Sequence, residues 1–219
     1  MAPSLTDILR SVLTVFCLFS TENSRSWTEA AQMEYEYVTC GSIVKLINQK
    51  YGARLHSHDI HYGSGSGQQS VTAVDSTTDQ NSYWQIKGKL DKNCVRGEPV
   101  KCGSTIRLQH IATKRNLHSH HFQSPLSSNQ EVSCFGENGN GDEGDNWAVV
   151  CSTSSWKRNE LVRFKHVATE TYLSMSGQVY GRPIHGQKEI CALSSLSNAN
   201  QWKVGEGIFV KPSESFRAS

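Results

Sequence analysis

Apolar and polar positions alternate along this chain with a period of two. Val44, Leu46 and then Leu55 in one stretch, and Ile106, Leu108 and Leu117 in another, are interleaved with Lys, Arg, Asn and His. Alternation of this kind puts successive side chains on opposite faces of an extended strand, whereas a helix would repeat at about 3.6 residues. The same pattern returns on a larger scale. "VKLINQKYGARLHSH" at 44–58 aligns with "IRLQHIATKRNLHSH" at 106–120 and with the more diverged "VRFKHVATETYLSMS" at 162–176. Further along each copy a glutamine recurs (Gln69, Gln130, Gln187), and each copy closes on a tryptophan (Trp84, Trp147, Trp202). The first unit reads as four short strands, "IVKLIN", "ARLHSHD", "QQSVTAV" and "YWQIKG", separated by Gly, Ser, Asn and Asp clusters. No amphipathic helix stands out, and only the leader looks helical.

Three units of four strands, none able to bury its apolar face alone, predict an all-β fold closed on itself as a β-trefoil. First and last strands of each unit build the barrel and the middle pairs cap it, which removes exposed edges. Trp84, Trp147 and Trp202 then belong to the core.

At 219 residues the chain can hold one sizeable domain or two small ones, and one is expected. Twenty-two Lys and Arg against 20 Asp and Glu leave a formal charge of +2, with both signs interspersed. No basic block of the kind that tracks phosphates is present, so nucleic acid is not the expected partner. The apolar run "VLTVFCLF" at 12–19 follows Arg10 and precedes "STENSRSW". It is too short to span a bilayer but has the length of a signal-peptide core. The predicted leader is 1–26, its end falling between 20 and 33, and no later segment is apolar enough for a membrane span. Removing Cys17 with the leader leaves an even six cysteines, at 40, 94, 102, 134, 151 and 191. No C-x-x-C or C-x-x-H pair appears, so disulfides are expected rather than zinc. Cys40 and Cys94 bracket unit one and Cys102 and Cys151 bracket unit two, which predicts these two pairings. Cys134 and Cys191 read as equivalent small buried thiols where unit one has Ala73.

The chemistry to weigh begins with "LHSHDIHYGSGSGQQSV" at 55–71. His56 and His58 share one face of a strand, and His118 and His120 repeat that geometry, but unit three has Ser174 and Ser176 instead. Only pairs of ligands are visible and no acidic residue sits at an evident closing position, so no metal is expected. These imidazoles read as hairpin residues that hydrogen-bond backbone groups. The Gly-Ser run lacks a phosphate-loop lysine and a following helix. "GENGNGDEGD" at 136–145 reads as a solvated acidic turn, its spacing unlike an EF-hand. No nucleophile signature or paired-carboxylate arrangement stands out, so neither an enzyme nor a cofactor is expected.

The segments "VTCGSIVKLIN", "RLHSHDIHYGSGSGQQSVT", "NSYWQIKG", "KCGSTIRLQHIATKRNLHSHHFQSPLSSNQEVS" and "YGRPIHGQKEI" closely resemble the stromal cell-derived factor 2 family, from about Val38 to Pro212. The resemblance implies three MIR repeats in a trefoil at 34–212, with repeats at about 37–94, 98–152 and 156–211, then a tail at 213–219. It also implies a protein of the endoplasmic reticulum lumen that works with a DnaJ-type co-chaperone and the lumenal heat-shock chaperone on unfolded or glycosylated clients. The pattern at Cys40, Cys94, Cys102 and Cys151 agrees with that family, while Cys134 and Cys191 depart from it. Family members often close on a retrieval signal, whereas this chain ends "KPSESFRAS", so retention by a bound partner or secretion is expected.

Two functions follow as expectations. One is a non-catalytic chaperone adaptor, monomeric by itself, presenting a broad surface that includes the loops at 62–69 and 121–130. The other is a carbohydrate-binding module with a pocket in each repeat, where a ring stacks on a sugar and polar groups bind its hydroxyls. Candidates for partner or ligand contact are His56, His58, Tyr62 and Gln69 in unit one, and His118, His120, Phe122 and Asn129 in unit two. Unit three offers Tyr180, Arg182 and Gln187.

Overall fold

The structure, a computed structural model, describes residues 35–213. The predicted leader at 1–26 and residues 214–219 of the predicted tail lie outside the described residues. Among the described residues twelve strands run in chain order: β1 (Ile43–Asn48), β2 (Arg54–His61), β3 (Gln69–Val74), β4 (Trp84–Gly88), β5 (Thr105–His110), β6 (Asn116–Gln123), β7 (Gln130–Phe135), β8 (Trp147–Val150), β9 (Arg163–His166), β10 (Tyr172–Val179), β11 (Lys188–Leu193) and β12 (Trp202–Ile208).

Their pairing is that of a β-trefoil. β1 lies between β12 and β4, β4 pairs β5, β5 pairs β8 and β8 pairs β9. A bridge from Val162 to Trp202 brings the start of β9 against β12 and closes the barrel. The hairpins β2–β3, β6–β7 and β10–β11 form the cap, and β3, β7 and β11 pair with one another in a triangle around its centre.

Alternation sets the core. Val44, Leu46, Ile86, Leu108, Leu117, Phe164 and Leu173 are all buried in one cluster with Trp84, Trp147 and Trp202. Each indole also donates its Nε1–H to a leucine carbonyl of its own repeat: Trp84 to Leu55 at 2.9 Å, Trp147 to Leu117 at 2.9 Å and Trp202 to Leu173 at 2.8 Å. The ring therefore fills the core while its one polar atom is satisfied, the requirement for burying an indole.

A short 3-10 turn precedes each of these tryptophans, at Gln80–Ser82, Glu143–Asp145 and Asn198–Asn200. The alternation gave no sign of them, since three residues are too few to carry a period. Their middle carbonyls receive the side chain that ends the next unit's first barrel strand. Asn48 Nδ2 donates to Ala199 at 2.8 Å, His110 Nε2 to Asn81 at 2.9 Å and His166 Nε2 to Gly144 at 2.9 Å. The carbonyl fixes each imidazole's tautomer, so Nδ1 accepts from the hydroxyl of Thr113 (2.9 Å) or Thr169 (2.7 Å). Burial lowers the pKa of both histidines to about 4, keeping these joints neutral.

Cys40 is bonded to Cys94 and Cys102 to Cys151, each pair tying the segment before a unit's first strand to the segment after its fourth. The two remaining thiols of the described residues are buried, but they are not equivalent. In the hairpin registers Leu55 faces Ala73, Leu117 faces Cys134 and Leu173 faces Ala192. Cys134 thus matches Ala73 and joins the core, whereas Cys191 pairs Ser174 and matches Thr72 and Ser133 one residue earlier. A shift of one residue reverses the face, and Cys191 lies 3.7 Å from Asn129 Nδ2. The alignment on Gln187 slips for the same reason. Loops of unequal length close between Tyr62 and Gln68, Ser124 and Asn129, and Tyr180 and Gln187. Gln187 therefore corresponds to Gln68 and Asn129, and Lys188 to Gln69 and Gln130.

Candidate functional site in the cap hairpins

β2 and β6 are buried at their start and emerge into solvent over their last three residues, as does β10. The histidine pairs sit where each strand leaves the body. His56 and His118 do not bond backbone groups as expected; they are held by carboxylates of the 3-10 turns. His56 Nδ1 lies 2.8 Å from Asp79 Oδ2, which also accepts from Ser82 Oγ at 2.6 Å. Burial opposes the charge on Asp79, but the Ser82 and His56 hydrogen bonds outweigh it and hold the carboxyl below its usual range. His118 Nδ1 lies 2.9 Å from Asp145 Oδ1, and Asn116 Nδ2 donates to Asp145 Oδ2 at 2.9 Å. Burial pushes the Asp145 carboxyl up, with His118 working in the opposite direction. The acidic turn is solvated at Glu137, Asp142 and Glu143 as expected, but its last residue, Asp145, is fully buried and closes the capping box with Asp142. Gly144 presses so closely on the His118 imidazole that a Cβ there would collide with the ring.

In unit three Ser174 replaces the histidine and bonds the Tyr172 carbonyl at 2.9 Å, while Ser197 and Asn200 form the capping box unaided. The ligand atoms of His118, Asp142 and Asp145 lie within 4.8 Å of one another and could converge on a cation. Their lone pairs are already engaged with one another and with the turn, and a closed site wants about four ligands. The sulfurs grouped with Glu160 belong to the Cys102–Cys151 disulfide and are not free to ligate.

The second histidine of each pair lies on the same strand face and is only partly buried. His58 lies 5.2 Å from His56, ring to ring, and burial together with His56 lowers its pKa. His120 Nε2 meets Glu131 Oε1 at 2.9 Å, and Glu131 is fully buried, accepting also from the Ser66 backbone at 3.3 Å and from the Ser66 hydroxyl. Gly65, at φ +63°, passes against that carboxylate where a Cβ would not fit. Rings of His118, His120 and Phe122 step outward at 5.1 and 4.9 Å, ending on Phe122, which is 52% exposed. The matching positions carry Ile60 in unit one and Gln178 in unit three, so this ladder belongs to unit two alone.

The remaining candidates are mostly internal. Tyr62 and Tyr180 are buried together with Ile184, against Leu126, in a second cluster. The Tyr62 hydroxyl lies 3.0 Å from the carbonyls of both Val71 and Val132. Gln69 is buried and donates to Ser57 and Thr113, Asn129 donates to Ser127, and Gln187 accepts from Thr72. Arg182 is exposed. The candidates therefore do not assemble into one sugar pocket per repeat. Asp79, Asp145 and Glu131 are the side chains sequence reasoning missed. A common spacing was available for two of the turns, an aspartate five residues before the tryptophan at Asp79 and Asp142.

The MIR domain family matches residues 53–154. Mouse stromal cell-derived factor 2 is 58% identical over 192 residues, covering 88% of this chain and 91% of that protein. This chain belongs to the stromal cell-derived factor 2 family. A solved member, the SDF2-like protein from Arabidopsis thaliana, superposes with a TM-score of 0.79 at 44% identity, covering 81% of this chain and 99% of that one. This chain also resembles part of the S. cerevisiae protein O-mannosyltransferase Pmt1-Pmt2 complex bound to the sugar donor. There the TM-score is 0.70 at 26% identity, covering 82% of this chain and 28% of that chain.

Proposed function

We propose that this member of the family is a non-catalytic adaptor of the endoplasmic reticulum lumen or secretory pathway that binds a DnaJ-type co-chaperone and, through it, the lumenal heat-shock chaperone. Its clients are unfolded or glycosylated proteins. The observation that carries the reading is where the fold spends its polar and aromatic candidates. Tyr62, Tyr180 and Gln69 are inside the cap, and the surface left outside is a broad one, with Ile60, Phe122 and Val179 exposed on the three projecting hairpins. A broad face with an apolar side chain on each hairpin, from which Tyr62, Tyr180 and Gln69 are withdrawn, suits a protein partner better than a small ligand, which needs a concave pocket with convergent polar groups. Membership of the family supports a partner of this class. Two disulfides suit an oxidising compartment, and no helix of the described residues is long and apolar enough to cross a membrane. Absence of catalysis is supported by the titratable groups: the His–carboxylate pairs hold turns to hairpins, and burial drives the Cys134 and Cys191 thiols up to about 12, far from a nucleophilic thiolate.

A second reading has a specific observation in its favour. The exposed Phe122 ring beside His120 and Glu131 is an arrangement on which a sugar could stack, and a structural neighbour, the Pmt1-Pmt2 complex, was solved bound to the sugar donor. The two readings separate in one experiment. The oxidised chain is immobilised, exposed to lumenal extract, and eluted with mannose-rich oligosaccharide and then with denaturant. A DnaJ-type protein that resists the sugar supports the adaptor; glycoproteins leaving with the sugar, and no chaperone after it, make the protein a lectin.

A further inference from the structure

At the barrel end away from the cap, the segment between β4 and β5 folds back over the sheet and leaves a cavity of about 390 Å³. Its wall includes the Cys40–Cys94 disulfide, Pro99, Val100 and Ile106, with Val95 standing 66% exposed at the mouth. Three exposed lysines, Lys89, Lys92 and Lys101, surround it against a single carboxylate, Glu98. None of these lysines makes an ion pair among the described residues. The rim is held in place beforehand. Gly97 N donates to Cys40 at 3.0 Å, Cys40 N to Glu98 at 2.9 Å, and Ser104 Oγ to the Lys101 carbonyl at 2.6 Å.

We propose that this cavity docks an acidic peptide segment, an apolar side chain entering between flanking carboxylates that meet Lys89, Lys92 and Lys101. An apolar floor of this size accepts a large side chain, and a pre-ordered rim limits the entropy lost on binding. Unpaired lysines around that floor select negative charge and reject a basic flank. No lining residue is aromatic, so the ring that a sugar would stack on is missing here. The inference goes beyond the adaptor and glycan readings, since it concerns the opposite end of the barrel and stands whichever of them holds.

The test uses the oxidised full chain and a fluorescein-labelled octapeptide with two central leucines between aspartates and glutamates, read by anisotropy. Saturable binding is expected, weakened at least about tenfold when Lys89→Glu, Lys92→Glu and Lys101→Glu are combined. The exposed Val95→Glu, which leaves the core untouched, weakens it in the same direction and decides the matter if the triple variant does not fold. A peptide with lysines in place of the acids shows no saturation, and Phe122→Ala at the far end leaves the affinity unchanged. The proposal is overturned if the folded charge-reversed chain and Val95→Glu both bind like the parent. No saturable binding, equal binding of the basic peptide, or loss of binding in Phe122→Ala would overturn it too.

Discussion

His110 and His166 show how one side chain serves two repeats. Each donates to a carbonyl of the preceding 3-10 turn and accepts from a threonine, and both are held neutral by burial at a pKa of about 4. An unfolded histidine titrates at about 6.5, so between these values the unfolded chain binds more protons than the folded one. Stability from this source is complete above the unfolded pKa and is lost as pH falls toward the folded one, on the order of 3 kcal/mol for each histidine. Urea midpoints measured between pH 7 and about 4 should fall accordingly. Unit one uses Asn48 at this position, so His110→Asn with His166→Asn should flatten that dependence, and an unchanged profile would refute the assignment. At Gly144 the clasp itself can be tested. Gly144→Ala drives a methyl into the His118 ring and should cost about 1–3 kcal/mol, as overpacking does. In a His118→Ser background, which copies unit three, the cost should shrink; equal costs in both backgrounds would mean the ring is not what Gly144 accommodates.

Strands were legible because alternation is a property of each residue with its immediate neighbours. Val44, Leu46, Ile106 and Leu108 all lie inside, as their spacing implies. The 3-10 turns were not legible, and with them went the carboxylates, because Asp79 lies 23 residues from the imidazole it holds and Asp145 lies 27. Unit three escaped correct alignment for a different reason: its loop from Tyr180 to Gln187 differs in length from the other two, so matching glutamines put Cys191 on the wrong face. At this scale the Cys40–Cys94 disulfide is the element with the clearest energetic weight. It closes a separation of 54 residues, for which the chain-entropy estimate is about 4 kcal/mol. Cys40→Ser with Cys94→Ser should lower the urea-derived stability by that order, and a loss under about 1 kcal/mol would show that the link constrains little.

At the largest scale, three repeats close a barrel and present three hairpins that differ most visibly at their ends. Ile60, Phe122 and Gln178 occupy matching positions, so the pseudo-threefold frame carries a surface that is not threefold. That asymmetry fits a single oriented partner better than three equal sugar sites, and burial of Tyr62 and Tyr180 points the same way. The most direct measurement is calorimetric titration of the oxidised chain with a purified DnaJ-type lumenal co-chaperone, repeated in saturating mannose-rich oligosaccharide. The account predicts a saturable complex whose affinity the sugar does not change. No heat of binding to the co-chaperone, with a saturable isotherm for the oligosaccharide alone, would contradict it.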